Sequence, residues 1–425
     1  MLQLTTIRHD AEGVIAALAK RNLDARPAID ALLSLNERRR QVQAETENLQ
    51  AESNKLAKSI GLLFREGKAA EAEGMKAQSA DIKERLNLLA TALQEVENEE
   101  RAQLIALPNT PHTSVAAGKS AEDNEVVATW GSAPDLAEGF VPHWELTDRY
   151  KLIDFERGVK ITGAGFPVYT GKGARLQRAL IQFFLDRNTA AGYLEVQPPH
   201  FINEASGFGT GQLPDKEGQM YHMTEDNLYA IPTAEVPVTN LLRDEIVPEA
   251  DLPIKMTAYS PCFRREAGSY GKDVRGLNRL HQFDKVEIVC VEHPSKSYDR
   301  LDEMVAHVAG LLQDLGLHYR ILRLCGGDMG FTSALTYDFE VWSAAQERWL
   351  EVSSVSNFET FQANRLMLRY RSTEDQKPHL AHTLNGSALA LPRIVAALLE
   401  NNQGPDGIAI PEVLRPYTGF DRITA

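Results

Sequence analysis

Leu32–Leu63 reads LLSLNERRRQVQAETENLQAESNKLAKSIGLL, and Ile82–Leu107 reads IKERLNLLATALQEVENEERAQLIAL. In the first stretch Leu35, Val42, Leu49, Leu56 and Leu63 recur at heptad spacing, with Leu32 and Ile60 filling intervening positions. In the second, Ile82, Leu89 and Val96 form one row and Leu86, Leu93 and Leu107 another. The apolar stripe is narrow and the remaining faces are charged, the pattern of a two-helix coiled-coil seam. Gly61, Gly67 and Gly74 fall where the stretches meet, so the chain is expected to turn back there as an antiparallel pair. Each helix should run roughly 35–40 residues, or about 55 Å at 1.5 Å per residue. Pro27 suits the start of the first helix, and Pro108 and Pro111 stop the second. A solvated rod of this length on a globular protein implies something to reach for.

Working outward, Met1–Arg26 reads as a short helical lead-in, and residues 1–107 as one arm domain with its coiled coil over about 28–107. Asn109–Ala137 is polar and rich in small residues, so 108–142 is assigned as a linker with little structure of its own. Residues 143–425 have the size of one catalytic domain. Within it, Gly173–Ala191, Leu301–Leu315 and Pro392–Asn401 carry helical patterns, with short alternating strands between. Strands and helices do not alternate regularly, which predicts an α+β domain on an antiparallel sheet flanked by helices. Neither a phosphate-loop lysine motif nor a Gly-x-Gly-x-x-Gly after a strand is present.

The chain has 425 residues, 43% of them hydrophobic, and a net charge of −14. That charge is unevenly spread: residues 1–107 hold 15 Lys and Arg against 17 Asp and Glu, the rest 30 against 42. The arm is therefore nearly neutral and the body acidic. Arg38, Arg39, Arg40, Lys55, Lys58, Arg65, Lys68, Lys76, Lys83 and Arg85 stud the arm helices. They suit phosphate contacts, although charge alone favours a solvated coiled-coil exterior. No apolar run reaches the length of a membrane span, and no secretion signal is visible. Cys262, Cys290 and Cys325 are widely spaced without metal-ligand pattern, which fits buried thiols in a reduced, cytoplasmic compartment.

The chemistry-bearing stretch is Met256–Val291, read as strand, charged loop, strand. The first strand ends in Phe263-Arg264-Arg265-Glu266, Ala267–Asn278 is a loop with three glycines, and the second strand runs from Arg279 through Val291. Alternation puts Arg279, Phe283 and Glu287 on one face and Val286, Ile288 and Cys290 on the other, apolar face. An arginine, an aromatic and a carboxylate on one face can clamp a phosphate, stack a base and bind an ammonium or hydroxyl. An exposed hairpin with cross-strand ion pairs accounts for the same spacing. Thr233-Ala234-Glu235 and Glu351-Val352-Ser353-Ser354 could join that platform, their oxygens being hard ligands suited to Mg²⁺ held mainly by substrate phosphates; each alone also suits a surface turn or helix cap. Asn385–Arg393 precedes an apolar helix, with Arg393 in its first turn, where backbone N–H groups favour anions. Gly207–Pro214, taken alone, is a flexible glycine-rich loop.

Together these stretches resemble the seryl-tRNA synthetase family of class II aminoacyl-tRNA synthetases, bacterial type, over essentially the full chain. The helix to Ala191 with the strand ending at Pro199, the stretch Phe263-Arg264-Arg265-Glu266 through Phe283, and Gly386–Arg393 are similar to the three class II signature motifs. The arm and the Thr-Ala-Glu segment single out the seryl branch. Ala388 stands where the general class II pattern has glycine, and Arg265 where many bacterial relatives have serine; neither change removes a charged group.

The resemblance implies a set of roles. Arg264 grips the ATP α-phosphate and Arg393 the γ-phosphate. Glu266 meets the adenine edge, and Phe283 stacks on the ring beside Arg279, with Arg265, Leu280, Val352 and Ser353 completing the ATP site. Glu351 and Ser354 hold Mg²⁺, which requires a bulge or strand end between them, because alternation would place them on opposite faces. Thr233, Ala234 and Glu235 position the serine ammonium, and Glu287 and Ser387 read its hydroxyl. Arg264, Arg393 and Glu351 then carry catalysis. The implied activity is activation of L-serine with ATP and transfer to tRNA(Ser), extending to tRNA(Sec) where present, by a cytoplasmic homodimer without membrane contact. The alternatives are a relative activating another small amino acid and a catalytically silent paralogue binding RNA or protein through its arm.

Overall fold

A computed structural model describes residues 1–136, 138–266 and 275–424; most of the loop expected at Ala267–Asn278 lies outside the described residues. The chain divides into two compact units. One comprises Leu2–Ala19 and Leu23–Pro108; the other comprises Met1, Lys20–Asn22 and Asn109–Ala425.

In the first unit, two short helices, α1 (Leu4–His9) and α2 (Ala11–Ala19), precede α3 (Arg26–Arg65, 40 residues) and α4 (Ala69–Ala106, 38 residues). Leu49, Leu56 and Ile82 form a buried seam, with Ile60, Met75, Leu86 and Leu89 packed on it. Side-chain bonds Asn36–Glu100, Glu45–Arg85 and Glu52–Gln78 run in opposite senses along the two helices, so the pair is antiparallel. The reversal occupies Glu66–Lys68, where Gly67 takes φ +77° and the Lys68 N–H returns to the Leu63 carbonyl. Gly61 and Gly74, expected in the turn, lie inside the helices instead, where each faces open space. One seam position is polar: Asn36, 2% exposed, donates to Glu100 at 2.9 Å, a contact of the kind that fixes helix register.

The second unit is built on an eight-stranded sheet: β1 (Glu125–Trp130), β2 (Leu194–Glu195), β3 (Ile254–Phe263), β4 (Gln282–Glu292), β5 (Tyr319–Arg323), β6 (Leu335–Ser343), β7 (Arg348–Asn357) and β8 (His382–Ala390). The spatial order is β1-β5-β6-β7-β8-β4-β3-β2, antiparallel throughout except for the parallel pair β2/β3. Helices α5 (His143–Arg149), α6 (Gly171–Ala190), α7 (Glu204–Thr210), α8 (Glu235–Asn240), α9 (Ser297–Asp314), α10 (Thr360–Leu366) and α11 (Leu391–Asn401) surround it. The apolar stripes of α6, α9 and α11 bury one sheet face against Val286, Ile288, Cys290, Phe339 and Val355. Burying that face supplies most of the folding drive, at roughly 25 cal/mol per Å², and leaves the opposite face of the central strands free to line a cavity.

Three further sequence expectations change. Asn109–Ala137, expected to be nearly structureless, supplies β1, which pairs with β5 at the sheet edge. Its Val126-Val127-Ala128-Thr129-Trp130 run has the β-branched and aromatic residues that favour strands. The strand expected from Arg279 starts at Gln282. Gly276 turns the chain at φ +66°, and the His281 N–H goes to the Gly165 carbonyl at 2.9 Å, which keeps the preceding residues outside the ladder. The glycine-rich stretch is a loop only from Gly211 to Pro214: Gly207 and Gly209 sit in α7, where an added Cβ would come within 2.8 Å of Leu213 and 2.5 Å of Leu366. No helix among the described residues is long and apolar enough to cross a membrane.

Candidate active site

The β3/β4 hairpin lies inside the sheet, flanked by β8 and β2, so it is not an exposed ribbon. On β4, Phe283 and Lys285 face a cavity of about 540 Å³ while Val286 and Ile288 face the helices. β7 supplies Glu351, Val352, Ser353 and Ser354. The β6/β7 ladder slips between the Phe339–Ser353 and Glu340–Glu351 pairs, leaving Val352 as an extra residue. This bulge lets both Glu351 and Ser354 line the same cavity.

One end of the cavity is cationic. The Arg264 guanidinium lies 5.2 Å from the Phe283 ring centroid, and its Nε donates to the Pro232 carbonyl at 3.3 Å. Arg279 pairs with Glu266 at 2.7 Å, and Glu266 holds φ +49° at the hairpin end. Arg393, in the first turn of α11, donates to the Asn278 carbonyl at 3.1 Å and to the Glu351 carbonyl at 2.7 Å. Three guanidinium groups and an aromatic ring lining one cavity suit a polyphosphate attached to a base.

The other end carries buried carboxyls. The Glu287 carboxylate, 1% exposed, pairs with Lys285 and accepts from Thr233 Oγ1 at 3.2 Å and Asn385 Nδ2 at 3.3 Å. Lys285 Nζ also donates to Thr233 Oγ1 at 2.8 Å. Glu235, at the start of α8, accepts from Gln362 Nε2 at 2.7 Å. Burial, reinforced by the Glu287 charge, pushes the Glu235 carboxyl up to about 7. The two carboxyls share one buried ammonium, Lys285, and the Arg264 charge also acts on Glu235. Ser387 stands opposite Glu287 in the β4/β8 ladder.

Most of the expected site residues line this one cavity: Thr233, Glu235, Arg264, Glu266, Arg279, Leu280, Phe283, Glu351, Val352, Ser353, Ser354, Ser387 and Arg393. Three do not. Ala234 is buried in an apolar cluster behind the wall, Glu287 lies beneath the floor and acts on it through Thr233 and Asn385, and Arg265 is exposed, its guanidinium 6.0 Å from the Tyr221 ring centroid. Lys285, Gln362, Asn278 and Asn385 are absent from the sequence expectation. Strand alternation could have found Lys285, two residues before Glu287 on the same face; the others carry no local signal.

Side-chain oxygens gather at the bulge. Asp338, opposite Ser354 in the ladder, is hydrogen-bonded to it, and burial together with the Glu351 charge pushes the Asp338 carboxyl well above the usual range. Its Oδ1 is buried without a hydrogen-bond partner among the described residues. Two carboxyls and a hydroxyl fit a hard cation such as Mg²⁺. Among the described residues no group of three or more His, Cys, Asp or Glu forms a metal site by itself, so phosphate oxygens would have to complete the shell.

Residues 1–111 match the family profile described as seryl-tRNA synthetase N-terminal domain, and residues 220–402 that of the tRNA synthetase class II core domain (G, H, P, S and T). A serine–tRNA ligase of Salinibacter ruber is 55% identical over 100% of both chains. One from Geobacter sulfurreducens is 46% identical over 99% of each. The crystal structure of seryl-tRNA synthetase from Pyrococcus horikoshii complexed with ATP superposes with a TM-score of 0.94 at 34% identity, covering 100% of this chain and 99% of that one. On its sequence from end to end, and on its fold, the chain belongs to the seryl-tRNA synthetase family, the serine–tRNA ligases of the class II aminoacyl-tRNA synthetases.

Proposed function

We propose that this enzyme activates L-serine with ATP in the cavity between β4 and β7 and passes the seryl group to tRNA(Ser), and to tRNA(Sec) where that tRNA is present. The observation that carries the reading is the cavity's polarity: arginines at one end, Glu235 and Lys285 at the other with Glu287 beneath them. The serine ammonium sits against Glu235 and Thr233, and its hydroxyl against Ser387 and the Thr233–Glu287 pair. The base stacks on Phe283, with Arg264 on the α-phosphate and Arg393 on the γ-phosphate. Glu266, held by Arg279, reads the base edge.

Serine's carboxylate is ionised at neutral pH, so no general base is needed. One carboxylate oxygen forms a bond to the α-phosphorus as the bond to the bridging oxygen breaks, and pyrophosphate leaves. Catalysis is positioning and charge stabilisation by Arg264 and Arg393. Glu351 and Ser354, with Asp338 behind them, would hold Mg²⁺, which supplies further neutralisation of phosphate charge when bound. A terminal ribose hydroxyl of tRNA then attacks the seryl carbonyl and AMP departs. A site that hydrogen-bonds the substrate hydroxyl rejects alanine by roughly 10⁴–10⁵.

The arm, residues 1–107 with its coiled coil over about 28–107, holds tRNA mainly through phosphate and sugar. Arg40, Lys68, Lys76 and Arg85 have acidic neighbours within ion-pair range, all with both partners half exposed, so phosphate can displace them at little cost. The chain acts as a cytoplasmic homodimer joined around α6 and β2, where Leu194 is 65% exposed; light scattering at micromolar concentration should give twice the chain mass. The deciding experiment is ATP–pyrophosphate exchange without tRNA. It should require serine and Mg²⁺; exchange with another amino acid but not with serine would overturn the reading.

A further inference from the structure

Helix α11 touches one dipeptide of the cavity wall at two points. Leu277 and Asn278 line the cavity. Arg393, at the start of α11, donates from Nε to the Asn278 carbonyl at 3.1 Å. Two turns further on, Glu400 is fully buried and accepts from the His143 backbone N–H at 2.9 Å, the His143 ring at Nδ1 at 2.7 Å, Gln346 Nε2 at 3.0 Å and the Ser343 hydroxyl. His143 is 0% exposed, and its Nε2 accepts the Leu277 N–H at 2.8 Å. Gln346 closes the ring by accepting from Asn278 Nδ2 at 3.0 Å.

These bonds dictate the imidazole's state. A backbone N–H aimed at Nε2 requires a lone pair there, so the ring proton sits on Nδ1 and goes to the Glu400 carboxylate. The ring is thus a neutral spacer of fixed tautomer between a buried anion and one peptide N–H. Close approach is built in: a Cβ on Gly276 would fall 2.2 Å from His143 Nε2.

We propose that His143 and Glu400 are positioning residues for the ATP end of the cavity. They hold the Leu277 N–H while Arg393 holds the adjacent Asn278 carbonyl, so one rigid helix sets both the wall and the guanidinium aimed at the phosphates. None of these bonds reaches Thr233, Glu235 or Glu287, so the serine end is independent of them. The proposal rests on the ATP-dependent reading above.

The test compares His143→Asn with His143→Gln in the full-length enzyme. Asparagine can place an amide where Nδ1 donates to Glu400 but stops short of Leu277; glutamine can place a carbonyl where Nε2 accepts. In pyrophosphate exchange the Asn variant should show an ATP KM raised roughly tenfold, the worth of about one hydrogen bond. The Gln variant should stay near wild type, and the serine KM should hold in both. Equal ATP KM values in the two variants, or serine and ATP KM rising together, would show a merely structural pair and overturn the proposal. If circular dichroism shows the Asn variant unfolded, Gln346→Ala carries the same test through Asn278: ATP KM alone should rise, and an unchanged value overturns the proposal. Wild-type enzyme without serine-dependent exchange would sink the functional reading instead; calorimetric ATP binding by the same variants then decides the positioning role by the same pattern.

Discussion

Serine binding should depend on pH through Glu235. This carboxyl is 6% exposed and faces Glu287 and Lys285 from β4, Arg264 from the end of β3 and Gln362 from α10. Burial first, and the Glu287 charge second, raise it from its ordinary 4.5 to about 7. Only the ionised form attracts the serine ammonium. With the free enzyme half protonated near pH 7, the apparent serine KM should be about twice its alkaline limit there and about tenfold above it at pH 6. Calorimetry at pH 7 in two buffers of different ionisation enthalpy should register about half a proton released per serine bound. The sign also fixes a stability effect. A carboxyl raised on folding contributes stability that is complete below its unfolded value and lost as pH rises through about 7. Bound ammonium offsets that loss, so serine should raise Tm more at pH 8 than at pH 6. Glu235→Gln should give a raised serine KM that no longer changes over this range. A wild-type serine KM that is flat between pH 6 and 8, or a Gln variant that keeps the wild-type slope, would refute the assignment of the ammonium to Glu235.

Arg264→Ala should lower the activation rate roughly 10²–10³-fold with little change in serine KM, because its interaction strengthens as charge develops on the α-phosphate. Glu287→Ala should instead raise serine KM and erode discrimination against alanine, since it strips Thr233 of a partner and leaves Lys285 buried without its counter-charge; matching small effects from both would mark them as incidental ion pairs. Replacing Ala28–Leu107 by a short loop should spare pyrophosphate exchange and sharply reduce tRNA charging, and tRNA binding by the full chain should weaken as salt rises. Charging that persists at the full-length level after the deletion would show that the body alone recognises tRNA.

The arm was legible in the chain because a coiled coil is a local object: seven-residue spacing specifies which face is buried, and the partner is the next helix along. The same locality made the face alternation of β4 legible, with Val286, Ile288 and Cys290 buried and Phe283 turned to the cavity. Periodicity says which face is covered, not by what. The sheet order, with β8 inserted between β7 and β4, the edge strand at Glu125–Trp130 and the helical packing of Gly207 and Gly209 all depend on chain segments far apart in sequence. The His143–Glu400 contact joins residues 257 positions apart, and the Thr233–Glu287 contact residues 54 apart. Local pattern determined the arm helices and the face of β4 that is buried. Only tertiary packing decided which strands became neighbours, and so which buried charges meet: a hydrogen bond acts over about 3 Å, and nothing in a residue's own neighbourhood in the chain names the distant group that will come that close.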